Sequence, residues 1–222
     1  MKFVHPEIET VFDTDCDRVN TLIIENQQLF TKLQMDLYEQ ISGLDGKAVL
    51  SDNGKMLGFS GFSELLNQFV PFKLNIKTIQ AKVIASFEKL AVNEEYYRLT
   101  EEVLKNIEIY LYNVSQSLNC DLNFTKLNIS SLTKLAGFEF NEDYNLLGEK
   151  IIDYFELVTE FDRKKLFFTV NLRSYLKDEE SEMFMDTVLK HGYDLIMIEA
   201  SEHQLLKKEK RVIIDASLCE IK

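Results

Sequence analysis

The stretch from Arg163 to Glu199 constrains the fold more than any other part of the chain. A short apolar run, Leu166–Val170, is rich in aromatic and β-branched residues, which is typical of a strand buried on both faces. Asp178 is predicted to cap a helix that has acidic residues in its first turn, and Gly192 predicts the left-handed end of that helix. A second buried strand is predicted at Leu195–Ile198. Strand, helix and strand over this length indicate a right-handed βαβ unit with parallel strands.

Further strand patterns flank this unit on both sides. The compact apolar run Val19–Ile24 predicts a strand, and Asn26 predicts the cap of a helix that ends at Gly43. Short strands are also predicted at Phe3–Phe12, Ala48–Leu50, Phe69–Phe72 and Val212–Ile214.

From Asn75 the apolar period changes from 2 to 3.6, which indicates helices. We predict two long helices, a short helix that ends at Gly137 and a longer one over Leu146–Phe161. The expected organisation is a discontinuous α/β head domain, residues 1–72 and 163–222, with a helical insertion or leg domain at 73–162. The wide apolar stripes of these helices suit either a bundle or an oligomer interface.

The predicted fold class is therefore α/β, with a mixed, mainly parallel sheet and flanking helices. It is a core of the Rossmann or P-loop type, but without a P-loop. Gly54, Gly58 and Gly61 lie in the segment NGKMLGFSGFS, which contains neither GxxxxGK[ST] nor GxGxxG. A turn-rich connection is the better interpretation of these glycines, and it removes the simplest route to a nucleotide enzyme.

The charge of the chain limits its partners. With 25 basic and 37 acidic residues the net charge is −12, which argues against bulk attraction to nucleic acid. Any DNA-binding surface must then be a local patch.

Other compositional features predict a cytoplasmic protein with no membrane partner. No apolar run approaches the length of a membrane span, and the first residues show no secretory signal. Cys16, Cys120 and Cys219 are few and widely separated, which suits a reducing compartment. The three histidines form no ligand-like pair, so a zinc site is not expected.

No nucleophile and base can be paired from the sequence, and solvated or capping roles are expected for His5, His191 and His203. Asn171 and Arg173 follow the carboxyl end of a predicted strand, where open α/β sheets place ligands. They are the best small-molecule candidates, although a loop that only caps its helix would use the same residues.

Basic residues occur in short rows. Lys82 and Lys89 are seven residues apart on one predicted helix face, and Lys77 lies at the entrance to that helix. Arg163, Lys164 and Lys165 immediately precede the central strand. Such rows, repeated around a symmetric oligomer, could line a channel and contact phosphates without reading bases. Solvated lysines are the alternative, and for the run Lys207–Arg211 (KKEKR) a solvated turn is expected.

The segment Arg163–Glu199, with its basic lead-in, LFFTVN strand, acidic helix start and DLIMIE strand, resembles the type II-A CRISPR adaptation accessory proteins. This family is the small partner encoded beside the RNA-guided nuclease and the spacer integrase. The run Leu135–Glu139, LAGFE, and the later helix that ends in YFELV are similar to the same family. So is the order of α/β halves around long helices.

The resemblance implies a non-catalytic protein without nuclease or ATPase motifs. Family members form ring-shaped homotetramers whose inner basic residues hold double-stranded DNA, loaded at free ends, and so support acquisition of new spacers. The spacer integrase and the RNA-guided nuclease are the implied protein partners. The first DNA-contact candidates, at the position of the family's basic cluster, are Arg163, Lys164 and Lys165. The second set, chosen by helix geometry, is Lys77, Lys82 and Lys89.

One departure from the family concerns calcium, which the family binds through an acidic stretch after the second long helix. Here that stretch reads CDLNFTK, so that Asp121 remains but Asn123, Thr125 and Lys126 stand in place of acids. Calcium requires six to eight oxygen ligands, mostly from carboxylates. We predict weak or absent calcium binding, unless nearby acids replace the missing ones. The nearby acids are Glu139, Glu142 and Asp143.

Three functions compete. The leading one is a non-catalytic DNA-binding ring. The second is a small-molecule or nucleotide enzyme that uses the loop at residues 171–174. The third is an acidic interaction scaffold whose apolar helix stripes bind other adaptation proteins.

Overall fold

A computed structural model describes all 222 residues of the protein. The chain forms two compact units. The α/β unit comprises Met1–Leu74 and Glu142–Lys222, and the helical unit comprises Asn75–Asn141.

The α/β unit contains ten strands and four helices. Its strands are β1 (Lys2–Val4), β2 (Phe12–Asp13), β3 (Val19–Ile24), β4 (Val49–Asp52), β5 (Lys55–Leu57), β6 (Ser63–Leu66), β7 (Leu166–Val170), β8 (Asp194–Glu199), β9 (Glu209–Ile214) and β10 (Glu220–Ile221). Its helices are α1 (Gln27–Ile41), α2 (Phe59–Phe62), α6 (Leu147–Asp162) and α7 (Asp178–His191). The helical unit contains α3 (Lys77–Ala91), α4 (Tyr97–Ser115) and α5 (Ile129–Ala136).

The main sheet confirms the α/β prediction. It has six strands in the order β10-β9-β3-β8-β7-β6, and all its neighbours are parallel except β10 with β9. The strands β7 and β8 pair as the βαβ pattern predicted, with Leu166 opposite Asp194. The amino-terminal strand β3 lies between β8 and β9, so the two halves of the chain share one sheet. A second, antiparallel sheet has the order β2-β1-β4-β5.

Apolar side chains explain the central position of this sheet. Every residue of β3 and β7 is buried, because helices or the second sheet cover both faces. Phe3 of the second sheet packs edge-on against Phe168 of β7, with ring centroids 5.1 Å apart. The core thus joins both sheets and α1.

Three local predictions are corrected. Phe3–Phe12 is not one strand, because its two ends belong to β1 and β2 and the residues between them form no strand. Phe69–Phe72 is not a strand. The neighbouring strand is β6, and Phe69 instead packs its ring against Phe72 and Tyr175. Pro71 has no amide hydrogen and would interrupt a ladder. Asp178 is the first residue of α7 and not its cap. Lys177 holds the cap position, and its backbone N–H donates to Glu180 at 3.2 Å.

Helix α6 lies in the α/β unit, whereas the predicted leg domain extended to residue 162 and the helical unit ends at Asn141. Ile151, Phe155 and Val158 are buried on one face of α6. The Phe155 ring stacks on Phe167 of β7 with centroids 3.8 Å apart. This aromatic contact fixes α6 on the main sheet.

The helical unit buries few apolar side chains of its own. Only Ile79, Ala91 and Leu104 are buried there. Sixteen of the 27 exposed large apolar side chains of the protein lie within this unit. Such a surface is far more apolar than isolated soluble units usually show.

Candidate nucleic-acid interface

The first set of predicted DNA contacts lies where α6 meets β7. The helix ends with Arg163 in the left-handed conformation, with φ 60°, and its N–H donates to Val158. Lys165 donates its backbone N–H to the Phe62 carbonyl at 2.8 Å, which starts the pairing of β7 with β6. Both the Arg163 and Lys165 side chains are exposed. These two side chains are accessible to a phosphate ligand.

Lys164, which lies between them, has a different environment. It is only 6% exposed, and its ammonium donates to the Ser60 carbonyl at 2.5 Å. A buried ammonium needs such a partner, because burial of an unpaired charge is costly. Lys164 therefore anchors α2 to the start of β7, and its side chain is not available to DNA in this protomer.

Carboxylates lie close to Lys165. A polar pocket of about 560 Å³ is lined by Lys165, His191 and Met1, and by Asp15, Asp52 and Asp194. The carboxylates oppose the positive potential of Lys165. Arg163 does not line this pocket, so these carboxylates oppose its positive potential less than they oppose that of Lys165.

The second set of predicted contacts lies on α3 in the helical unit. Lys77 is the first residue of the helix, and Lys77, Lys82 and Lys89 are all exposed. Lys82 and Lys89 share one face, because seven residues make nearly two turns. Lys77 precedes Lys82 by five residues and therefore points away from that face. Two of the three predicted lysines form a row.

The stretch with the predicted metal ligand offers few oxygen donors. Asp121 is exposed in a segment without regular structure between α4 and α5. No group of three or more His, Cys, Asp or Glu side chains is placed to hold a metal ion. Glu142 accepts hydrogen bonds from the Leu74 N–H at 3.1 Å and the Lys150 ammonium at 2.7 Å. Asp121 therefore belongs to no group of three or more such side chains, and these residues do not fit calcium, which takes six to eight oxygen ligands.

The small-molecule candidates at residues 171–174 are held by the protein itself. The Asn171 side chain accepts from the Ala200 N–H at 2.8 Å. The Arg173 side chain is 1% exposed and pairs with Asp178 at 2.7 Å and with Glu209 at 3.4 Å. It also donates to the Gln204 carbonyl at 3.2 Å. The Arg173 side chain is therefore occupied by the protein itself, and the half-buried Asn171 side chain holds the loop to Ala200.

Arg173 belongs to a buried charged network that the sequence did not reveal. Glu199, at the end of β8, accepts the Arg173 backbone N–H at 3.1 Å, and its other oxygen lies 3.6 Å from His203 Nε2. Burial raises the pKa of Glu199 to about 7, against the opposing effect of Arg173. Burial also lowers the pKa of His203, and the charge on Arg173 lowers it further. When Glu199 is protonated, it is neutral, and the charges of the buried pair Arg173 and Glu209 balance each other.

Glu209 is the second acid of the network, at the start of β9. It is 3% exposed and accepts from the Leu206 N–H at 3.0 Å and from Arg211 Nε at 3.1 Å. The sequence offered one signal of this buried acid, namely that Glu209 lies within the basic run KKEKR directly before a predicted strand. Its partner Arg173 is 36 residues away in the chain, which is why local patterns missed the pair.

Two further observations bear on the predictions. His5 is buried, against the expected solvated or capping role, and its Nε2 lies 3.0 Å from Asp36. None of the helices is both long and apolar enough for a membrane span.

A protein-family model described as CRISPR-associated protein (Cas_Csn2) matches residues 40–218, which is most of the chain. The match includes β4 to β9, α3 to α7 and both sets of predicted DNA contacts. Among curated proteins, none matches the chain.

Proposed function

The chain belongs to the CRISPR-associated protein (Cas_Csn2) family, and on this premise we propose that it is a non-catalytic DNA-binding protein of CRISPR adaptation. In this proposal the protein forms a homotetrameric ring, binds the ends of double-stranded DNA and supports the acquisition of new spacers. The spacer integrase and the RNA-guided nuclease are its partners. The family match over residues 40–218 is the observation that carries the proposal.

The surface of the helical unit supports the oligomer. Apolar residues of α3, α4 and α5 line a groove of about 480 Å³, and among them Phe87, Leu99 and Val103 are exposed. Contact with another protomer would remove this apolar area from water, at about 25 cal/mol per Å². The exposed faces are thus consistent with a protein that functions as an assembly.

The exposed cations support contact with DNA. Arg163 and Lys165, and the row Lys82 and Lys89 on α3, could bind phosphates and give no base readout. An acidic protein with a few local cations would bind DNA only where its geometry brings those cations together. A closed ring provides such a geometry.

The local structure around the glycines supports a non-enzymatic role. Gly54 lies in the turn between β4 and β5, and Gly61 lies in the four-residue helix α2. This segment is a hairpin followed by a short helix and has no phosphate-binding loop motif. The loop at residues 171–174 is closed by its own hydrogen bonds, which disfavours the small-molecule alternative.

The groove in the helical unit also favours a second candidate, an interaction scaffold for other adaptation proteins. The two candidates differ in what covers the apolar residues. If the purified oligomer leaves Leu99 and Val103 accessible to hydrogen exchange and to dye binding, the scaffold is favoured. If assembly protects them, the ring is favoured.

The experiment that tests the proposal combines light scattering with a gel-shift assay on linear and closed-circular duplex DNA. We expect a particle of about four chain masses that shifts only the linear DNA, because a ring loads at a free end. A monomer, or equal binding to both DNA forms, would contradict the proposal.

Charge variants connect this assay to the residues. Arg163→Glu with Lys165→Glu should weaken binding at least about tenfold and make it less dependent on salt. Lys164→Met is the matched variant, because it removes a neighbouring charge that is already buried. We expect it to lower the free energy of unfolding by about 1–3 kcal/mol, through the unpaired Ser60 carbonyl, and to leave DNA affinity unchanged.

A further inference from the structure

We propose that Lys207, Lys208 and Lys210, at the entrance to β9, form an additional contact surface for the phosphate backbone of duplex DNA. We call these three residues the β9 lysines. The choice of DNA as the ligand rests on the proposed function. The location of the surface rests on the charge and packing of this segment, which its sequence alone predicted to be a solvated turn.

The β9 lysines are an uncompensated positive charge on an acidic protein. All three are exposed, and none makes an ion pair or a side-chain hydrogen bond. The one acid in the run, Glu209, is buried and directed to Arg173 and Arg211. Its charge is therefore balanced in the interior and does not cancel the lysines outside.

The buried side of the same segment holds it in place. Glu209 accepts the Leu206 N–H and contacts Arg173 of the loop after β7. Arg211 extends the network, because its guanidinium reaches Glu202 at 2.9 Å and the His203 carbonyl at 2.8 Å. The turn before β9 is thereby tied to the loop after β7 and to the earlier part of its own connection from β8.

The backbone keeps the three cations close together. Lys207 and Lys208 lie in the turn before β9, which the Glu209 N–H closes on the Leu206 carbonyl at 3.2 Å, and Lys210 lies in the strand itself. The Lys208 carbonyl accepts the Val19 N–H at 2.7 Å, which fixes the segment to β3. One strand of duplex DNA carries a phosphate about every 3.4 Å along the axis. The three lysines lie within four consecutive residues, which span at most about 11 Å, so they could contact neighbouring phosphates of one strand.

Exposed lysines on an ordered backbone suit contact with phosphate. Each is a compact point charge that contacts phosphate without base readout. Because the backbone is already ordered, binding costs little conformational entropy beyond the lysine side chains.

The test compares two triple variants of the full chain on linear duplex DNA across a range of salt concentrations. The first variant replaces Lys207, Lys208 and Lys210 by Ala. The control replaces three other exposed lysines of the α/β unit by Ala, and these are Lys47, Lys55 and Lys190. Both variants lose the same charge, so any difference between them reports the location of the charge.

We expect the β9 variant to bind at least about tenfold more weakly, and the slope of log affinity against log salt to fall by about 2.7 for three phosphate contacts. The control should keep nearly the wild-type slope. Equal losses in the two variants, or no loss in the β9 variant, would overturn the inference. Failure of the wild-type protein to bind linear DNA would instead overturn the proposed function, so the two failures are distinguishable.

Discussion

At the scale of single residues, burial decides which charges can act outside the protein. Lys164 and Lys165 are adjacent in the chain, yet one ammonium is hydrogen-bonded to Ser60 and the other is exposed. Glu209 lies between two exposed lysines and is itself buried. In both cases neighbours in the chain have different surroundings, one side chain in the interior and the next at the surface. The number of cations in a run therefore overestimates the number that a ligand can reach.

Glu199 gives a prediction about pH at this scale. Its pKa is raised from 4.5 to about 7 in the folded protein, chiefly by burial. The folded state thus keeps a proton that the unfolded state has already lost. The stabilisation is complete below pH 4.5 and is lost as the pH rises to about 7, with a slope of up to about 1.4 kcal/mol per pH unit.

The variant Glu199→Gln should remove this dependence, because an amide stays neutral. We expect it to be more stable than the wild type at pH 8, by about 2–3 kcal/mol, and no more stable at pH 4.5. Urea unfolding at a series of pH values measures both quantities. Glu202→Gln, at an acid whose side chain is 57% exposed, is the control. A wild-type pH slope in the Glu199 variant would show that Glu199 is ionised in the folded state throughout this range.

At the scale of elements, α6 is a helix that packs on the main sheet and supports it. Its buried face of Ile151, Phe155 and Val158 packs toward β7, and α7 adds Phe184 to the same aromatic group. The helix also carries Tyr154, whose hydroxyl donates to Glu64 of β6 at 2.9 Å. Contacts with two strands and a second helix make α6 a main support of the α/β unit.

We therefore expect Phe155→Ala to lower the free energy of unfolding by about 3–5 kcal/mol, because it removes a fully buried ring and leaves a cavity. Thermal or urea unfolding measures the loss. Phe87→Ala in the helical unit is the control, since Phe87 is 42% exposed, and it should cost much less in a dissociated protomer. Equal losses for the two variants would mean that α6 is not packed as described.

At the scale of the whole molecule, the two units differ in how much apolar surface each covers by itself. The α/β unit has a continuous core of strands and helices, whereas the helical unit buries only three apolar side chains. A unit with so small a core gains stability when another surface covers it. This asymmetry supports the proposal that the protein functions as an oligomer.

A pair of substitutions on α4 tests whether the apolar surface of the helical unit forms the interface between protomers. Leu99→Glu with Val103→Glu should lower the mass measured by light scattering, because two carboxylates would be buried at the interface without partners. The residues are 58% and 42% exposed in the protomer, so protomer folding, followed by circular dichroism, should be retained. Met35→Glu with Tyr38→Glu on α1 is the control, also at exposed apolar positions. Unchanged mass in the α4 variant would exclude this face from the interface.

The sequence by itself determined the local elements and the family. The β7 strand was predicted with its observed bounds, and Asn26 and Gly192 were predicted as helix boundaries, because each signal depends on neighbours in the chain. The βαβ unit followed from the strand, helix and strand pattern of Arg163–Glu199, and the change of apolar period at Asn75 marked the start of the helices. The resemblance to the CRISPR adaptation family, carried by Arg163–Glu199, was confirmed by the family match.

Only the tertiary structure decided which residues meet across long separations in the chain. It placed β3 between β8 and β9, brought α6 onto the main sheet, and paired Arg173 with Glu209. It also buried the Lys164 ammonium against α2 and left the β9 lysines exposed. These outcomes depend on packing between segments that are distant in sequence. Apolar period and capping signals, which act within a few residues, carry no information about them.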